Sequence, residues 1–398
     1  MLKKTLILVT LSLQFVGAQS LESILELVQM NNYSLKEKER LIDFSKVNVE
    51  LSDTWQNPIL GFGVNDINLD NPTSRDIEAM QTQFVSYSQL IPTNGKLQSQ
   101  KEIKKYDVNI KQLEFNNYKQ KLKSQVIRYA YSVYYENEKL KILNKYLENL
   151  HKQKELLNLL YENGKVDQSR IVALDLRLYK IKLKKQKLNY KIAKLKSDLE
   201  NLVYAKIDDI EIDQNIDNKL VNIDDVLTSH PLVLIQKEKI KQQKEKTNLA
   251  QKQKFSDVKF TVGYYDRKKF DDYMSFNIAI PLSIQGREKL EVKKSKVNEF
   301  AIQNSLVSLE QQIKTIIQDL EEKRKISKQN FELIENTMIP LNNSLEESHT
   351  IHLSTNMMNS VSVYESRNSK YDLLLLGIDE KISYFDAHSR LLYFKGNL

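Results

Sequence analysis

From Lys96 to Tyr161 the chain runs for sixty-six residues without a glycine or a proline. An unbroken α-helix of that length is about 100 Å long, at ~1.5 Å per residue. No ordinary globular core needs such an element, so the fold must be built from helices lying side by side. Within the stretch a 3–4 spacing picks out Leu122, Val126, Tyr129, Val133, Glu136, Leu140, Leu143, Leu147, Leu150, Lys154 and Leu157, nine of the eleven apolar. A second run from Ile171 to Leu202 scores nine of ten, and a third from Ile302 to Leu341 eight of twelve. This is coiled-coil periodicity. With nine glycines and six prolines in 398 residues, long helices are expected over most of the chain.

The formal charge is +8, but lysines alternate with Glu and Asp as on a solvated helix face, and no basic block is interleaved with aromatics. Nucleic acid is therefore not an expected partner. The chain has no cysteine, which removes disulfides, thiolate metal sites, cysteine nucleophiles and a lipid anchor on an N-terminal cysteine. Residues 1–18 place Lys3 and Lys4 before an apolar run from Leu6 to Val16, then Val16-Gly17-Ala18. That order predicts a secretory signal cleaved after Ala18. No other segment is apolar enough for a membrane helix, so membrane entry would require a closed β-barrel. No nucleophile elbow, phosphate loop or zinc-protease motif occurs, and neither an enzyme nor a cofactor is expected.

Four segments have strand character, at about 57–66, 80–91, 257–267 and 272–281. Leu60, Phe62 and Val64 alternate with Gly61 and Gly63; Val258, Phe260, Val262 and Tyr264 alternate with Lys259, Thr261 and Gly263; Met274, Phe276, Ile278 and Ile280 alternate with Ser275, Asn277 and Ala279. The 80–91 segment alternates less cleanly. Each half of the chain then reads helix, strand, strand, long helix, turn, shorter helix. In the first repeat (19–205) the long helix covers about 95–161, the tip 162–168 and the return helix 169–202. A connector follows at 201–222. In the second repeat (223–398) the corresponding ranges are 287–352, 353–360 and 361–394. Pro92, Gly95 and Lys96 at the first strand-to-helix seam match Pro281, Gly286 and Arg287 at the second.

Four strands of about nine residues cannot close a barrel alone, but three chains supply twelve. Nine to eleven residues is also the length of a tilted membrane strand. Alternation of apolar with small or polar residues fits one face on lipid and one on water. Trp55, Tyr264, Tyr265 and Tyr273 are candidates for an interfacial aromatic belt. A soluble antiparallel sheet capping a helical domain is the plain alternative.

The order of these parts resembles the TolC-type outer-membrane efflux proteins. The resemblance rests on Asn57-Pro58 leading into the first strand, Gln89 to Lys96 (Q-x-I-P-x-x-G-K), the turn Tyr161–Val166 (Y-x-x-G-x-V) and the His230-Pro231 entry to the second half. It implies a mixed but mainly helical membrane protein: a homotrimer whose 12-stranded transmembrane β-barrel continues as a periplasmic α-helical barrel. It implies an outer-membrane location reaching into the periplasm, with outer-membrane lipid around the barrel. It also implies a periplasmic adaptor (membrane fusion protein) and an inner-membrane pump of RND or ABC type as partners. The duct itself would be passive. Carried onto this chain, the adaptor-contacting tips are Tyr161, Gly164, Lys165 and Val166 in one repeat and Thr355, Asn356 and Met357 in the other. The second tip lacks the glycine of the first. Some members ring the pore with acids after the second tip, and Glu365 is the nearest acid here.

No metal site is expected. The nearest approach to one is His349 and His352, three residues apart, followed by Met357 and Met358, which in a trimer would form a ring of soft ligands; two polar residues on an exposed helix end account for the same spacing. The short mature chain favours small molecules or heavy-metal ions as cargo. The alternatives are a periplasmic coiled-coil adaptor without a barrel and the outer-membrane duct of a type I protein secretion system.

Overall fold

The computed structural model describes residues 19–213, 219–351 and 358–396. The expected signal segment lies outside them, as do part of the connector and His352, Thr355, Asn356 and Met357 of the second tip. In chain order the first half holds β1 (Gln19–Ser20), α1 (Leu21–Asn31), α2 (Tyr33–Ser52), β2 (Ile59–Asn65), β3 (Thr82–Ile91), α3 (Lys96–Glu162) and α4 (Gln168–Val203). After β4 (Ile210–Glu211) and α5 (Ile223–Ser229) come α6 (Pro231–Lys252), β5 (Val258–Asp266), β6 (Tyr273–Ala279) and α7 (Arg287–Leu333). A π-helical turn, Ile334–Met338, leads into α8 (Ile339–Ile351), and α9 (Met358–Lys395) ends the chain. No described helix is long and apolar enough to cross a membrane.

Two compact units divide the chain, and each draws on both sequence halves. One holds residues 36–117 and 227–312; the other holds residues up to 35, 118–226 and 313 onward. The first unit contains a four-stranded antiparallel sheet in the order β2-β3-β5-β6. Its register aligns Leu60, Tyr87, Val262 and Phe276 across one row and Phe62, Val85, Tyr264 and Met274 across the next. Gly61, Ser86, Gly263 and Ser275 form a row on the opposite face. Residues directly opposite in an antiparallel ladder point the same way, so the period of two in each strand becomes two chemically distinct faces.

The second unit is mainly helical. Leu143, Tyr146, Leu150, Leu157 and Leu160 of α3 pack with Leu174, Leu178, Ile181 and Leu188 of α4 in one core. The two polar exceptions in the α3 spacing have partners on α4. Glu136, 1% exposed, pairs with Lys191, and Lys154 pairs with Asp175 at 2.6 Å. Two ion pairs eighteen residues apart on α3 fix the antiparallel register of this hairpin. In the same unit Tyr131 and Tyr135 of α3 pack on Phe385 of α9 with ring centroids 4.3 and 4.9 Å apart. The π turn stands just before Pro340. Proline has no N–H for the i→i−4 bond and crowds the carbonyl four residues back, and the widened turn absorbs both effects.

Both halves enter their upstream helix through a buried cap. Asn32 Oδ1 accepts from the Leu35 N–H at 3.0 Å, and His230 Nδ1 accepts from the Leu232 N–H at 3.3 Å. Each residue is 2% exposed. Pro231 follows His230 at the first helical position, where its missing N–H costs nothing.

Candidate channel wall, seams and tip

One face of the sheet is a bare apolar surface. Phe62 is 71% exposed, and Phe276 and Ile278 are each 67% exposed. β3 joins this face through Val85 and Tyr87, while Ser86 and Ser88 lie on the other; its alternation is weak because Phe84 and Leu90 share the serines' face and Gln83 and Gln89 the apolar one. Large apolar side chains across four adjacent strands, left in water, would be an aggregation surface. The opposite face is small and polar near the seams, where Ser88 and Thr261 share a 2.9 Å hydrogen bond. Toward the hairpin turns it becomes aromatic. Tyr265 and Tyr273 stack with centroids 4.7 Å apart, and Phe84 adjoins Tyr265 at 5.4 Å. A Cβ on Gly63 would lie 2.5 Å from the Phe84 ring, so the glycine makes the room that ring occupies. The tyrosines expected in an aromatic belt divide between the two faces. Period two puts Tyr264 on the bare apolar face and Tyr265 and Tyr273 on the other.

Both seams turn on a left-handed glycine, Gly95 at φ +68° and Gly286 at φ +76°. A side chain there costs about 1–2 kcal/mol. The seams are not equivalent. Arg287 is exposed, but Lys96 is 7% exposed. Its ammonium lies 2.7 Å from Asp257 Oδ1, which also accepts from the Thr93 N–H at 3.0 Å. Thr93 Oγ1 donates to the Ser256 carbonyl at 2.8 Å, and Lys252 Nζ donates to Ser99 Oγ at 2.7 Å. The first strand-to-helix junction is thus laced to the approach of β5. Pro92 directly follows the last paired residue of β3, and Pro281 stands two residues beyond the last paired residue of β6. Asp257 was missed in the sequence; its place immediately before an alternating strand, facing a lysine after Gly95, was the available signal.

At the first tip the Lys165 N–H donates to the Leu160 carbonyl at 2.8 Å and the Gly164 N–H to Tyr161 at 2.9 Å. Gly164 adopts φ +67°. These bonds close the α3–α4 turn, leaving Tyr161 and Lys165 exposed while Val166 packs on the hairpin core. Glu365 is exposed on α9, and His349 Nδ1 lies 2.9 Å from Ser366 Oγ.

Polar contacts that no apolar periodicity announces hold α9 near this end. Asn149 Nδ2 donates to Asn368 Oδ1 at 2.8 Å, and Asn368 Nδ2 to Gln153 Oε1 at 2.7 Å. Arg177 of α4 donates to Tyr146 Oη at 2.8 Å and to Asp372 of α9 at 2.6 Å. Burial pushes the Tyr146 phenol up to about 12, with the nearby Asp372 charge adding to it and Arg177 opposing.

Solved structures share this architecture. The CmeC outer membrane channel of Campylobacter jejuni superposes with a TM-score of 0.76 at 13% identity, covering 95% of this chain and 86% of that one. A membrane protein from Pseudomonas aeruginosa also gives 0.76, at 12% identity over 94% and 92%. The open MtrE outer membrane channel of Neisseria gonorrhoeae gives 0.74, at 12% identity over 94% and 88%. The fold is that of the TolC-type outer-membrane channels. No family model matches the chain. No curated protein matches its sequence. Nearly full-length likeness at such low identity locates the TolC-type signal in the order of elements and in packing, which tolerate extensive substitution.

Proposed function

We infer that the chain is the outer-membrane exit duct of an efflux system, assembled from three copies. The observation that carries this reading is the sheet with one bare apolar face and one small, polar and aromatic face. A lipid-facing, water-lined wall needs that division. The free edges of β2 and β6 are complementary, since β2 of one copy can continue the sheet from β6 of the next. Bare apolar side chains on α2 (Phe44, Val47, Leu51) and on α7 (Leu290, Val297, Phe300) recur at helical spacing in the same unit. They give that contact a helical continuation. Repeating a contact between different surfaces closes into a ring when the rotation permits.

The duct has no energy source of its own. A periplasmic adaptor meets the tips, Tyr161 to Val166 and Thr355 to Met357, and an inner-membrane pump drives small molecules or heavy-metal ions through. Opening is a two-state repacking of α8 and α9, with the polar contacts around Asn368 and Asp372 as the bonds exchanged. Fractionation tests the reading. The protein should sediment with outer membranes and run as a trimer that heat converts to a monomer. A soluble monomer in the periplasm would end it.

A further inference from the structure

α4 carries two apolar stripes on nearly opposite faces. One, Leu174 to Leu188, packs on α3. The other comprises Val172, Leu176, Tyr179, Leu183 and Tyr190, spaced 4, 3, 4 and 7 residues apart and between 51% and 73% exposed. At ~100° per residue the two stripes lie about 170° apart, so a helix seated on the second would not compete with α3. The charge beside this empty seam is one-sided. Residues 176–197 hold nine lysines and arginines and no carboxylate. Lys180, Lys184 and Lys187 are exposed among them.

The same unit contains a matching surface. From Gln329 to Ile351 there are four carboxylates and no lysine or arginine. Leu333, Leu341 and Leu345 on this stretch are 54%, 66% and 49% exposed. Glu335 and Glu346 already hold Lys381 and Arg367 within the protomer. The match is therefore one of overall potential rather than of prearranged pairs. Val172 to Tyr190 and Leu333 to Ile351 each span nineteen residues, about 27 Å of helix from end to end.

We propose that the lysine-flanked stripe of α4 seats on the acidic stretch from Leu333 to Ile351, the end of α7 through α8, in a second copy of this chain. This rests on the trimer reading and deepens it. The contact joins a first-repeat element to a second-repeat element, the same sense as the β2 and β6 edges, and its charge segregation sets direction. α4 repels α4 and accepts α8, which excludes a symmetric dimer through this face.

Cysteine cross-linking in the full-length protein tests it, because the chain has no cysteine of its own. Oxidising a Tyr179→Cys/Leu341→Cys variant should give covalent dimers and trimers that neither single variant gives. Raising salt from 0.1 to 1 M should lower the yield several-fold, since screening shortens from about 10 to about 3 Å. Adding Lys180→Glu, Lys184→Glu and Lys187→Glu should lower it at least tenfold, with helicity by circular dichroism unchanged. A protein that is trimeric by native mass spectrometry but forms no 179–341 link would overturn the proposal and leave the trimer standing. A link indifferent to salt and to charge reversal would overturn the electrostatic part. Capture of a different protein at Tyr179→Cys in place of a second copy would overturn the choice of occupant. A monomer by mass would refute the trimer reading itself.

Discussion

Replacing Asp257 with alanine removes the acceptor shared by the Lys96 ammonium and the Thr93 N–H. The Lys96 side chain is 8% exposed and that of Asp257 30% exposed, so the pair is half-shielded rather than fully desolvated. Stranding one member of a fully buried pair costs about 3–5 kcal/mol, and orphaning a buried donor about 1–3 kcal/mol. Discounting both for the open side of Asp257 gives an expected loss of about 2–3 kcal/mol. Lys96→Met alone removes the charge but leaves the Thr93 bond, and should cost about 1 kcal/mol. Asp257→Ala in the Lys96→Met background should then cost about 1 kcal/mol less than it does alone, because no cation is left stranded. Chemical unfolding of the four proteins in detergent, followed by circular dichroism, measures the cycle. Additive single-mutant effects, or a loss below about 0.5 kcal/mol for Asp257→Ala, would refute the argument that this pair locks the first seam.

Other predictions follow from the same geometry. Gly286→Ala should destabilise by about 1–2 kcal/mol because φ is +76° there, whereas Ser283→Ala nearby should be neutral within about 0.5 kcal/mol in the same assay. Glu365→Gln tests the acidic ring. Reduced cation selectivity in planar-bilayer recordings supports it, and unchanged selectivity removes it. Tyr131 and Tyr146 are both pushed up to about 12 by burial. Their folded-state pKa lies above the unfolded value, so the stability they lend is intact below about pH 10 and lost as pH climbs toward 12. Ultraviolet titration of Tyr146→Phe should lack a late-ionising phenol, and that variant should lose less stability across this window than the parent.

Much of the wall was legible in the residues themselves. Phe276 and Asn277 have opposite chemistry at adjacent positions, and only a two-sided strand makes use of that. The glycines at 95 and 286 announced left-handed turns because each follows a strand and a proline. Glu136 and Lys154 looked like flaws in an apolar spacing; they are ion-pair partners of Lys191 and Asp175, which a single-helix pattern cannot reveal. Asp257 was hidden for a similar reason, since its partner lies 161 residues away. The split of Tyr264 from Tyr265 was available in the period of two, and counting tyrosines as a group concealed it. The π turn could have been sought at Pro340, but sequence spacing does not show how a helix absorbs a proline.

The central claim is that the apolar face of the sheet meets lipid and the other face meets water. Spin labels on single cysteines at Phe276 and Asn277, in the full-length protein reconstituted into liposomes, test it at adjacent residues. The label at 276 should collide with dissolved oxygen and be shielded from an aqueous nickel chelate, and the label at 277 should do the reverse. Equal, aqueous accessibility at both positions would contradict the account.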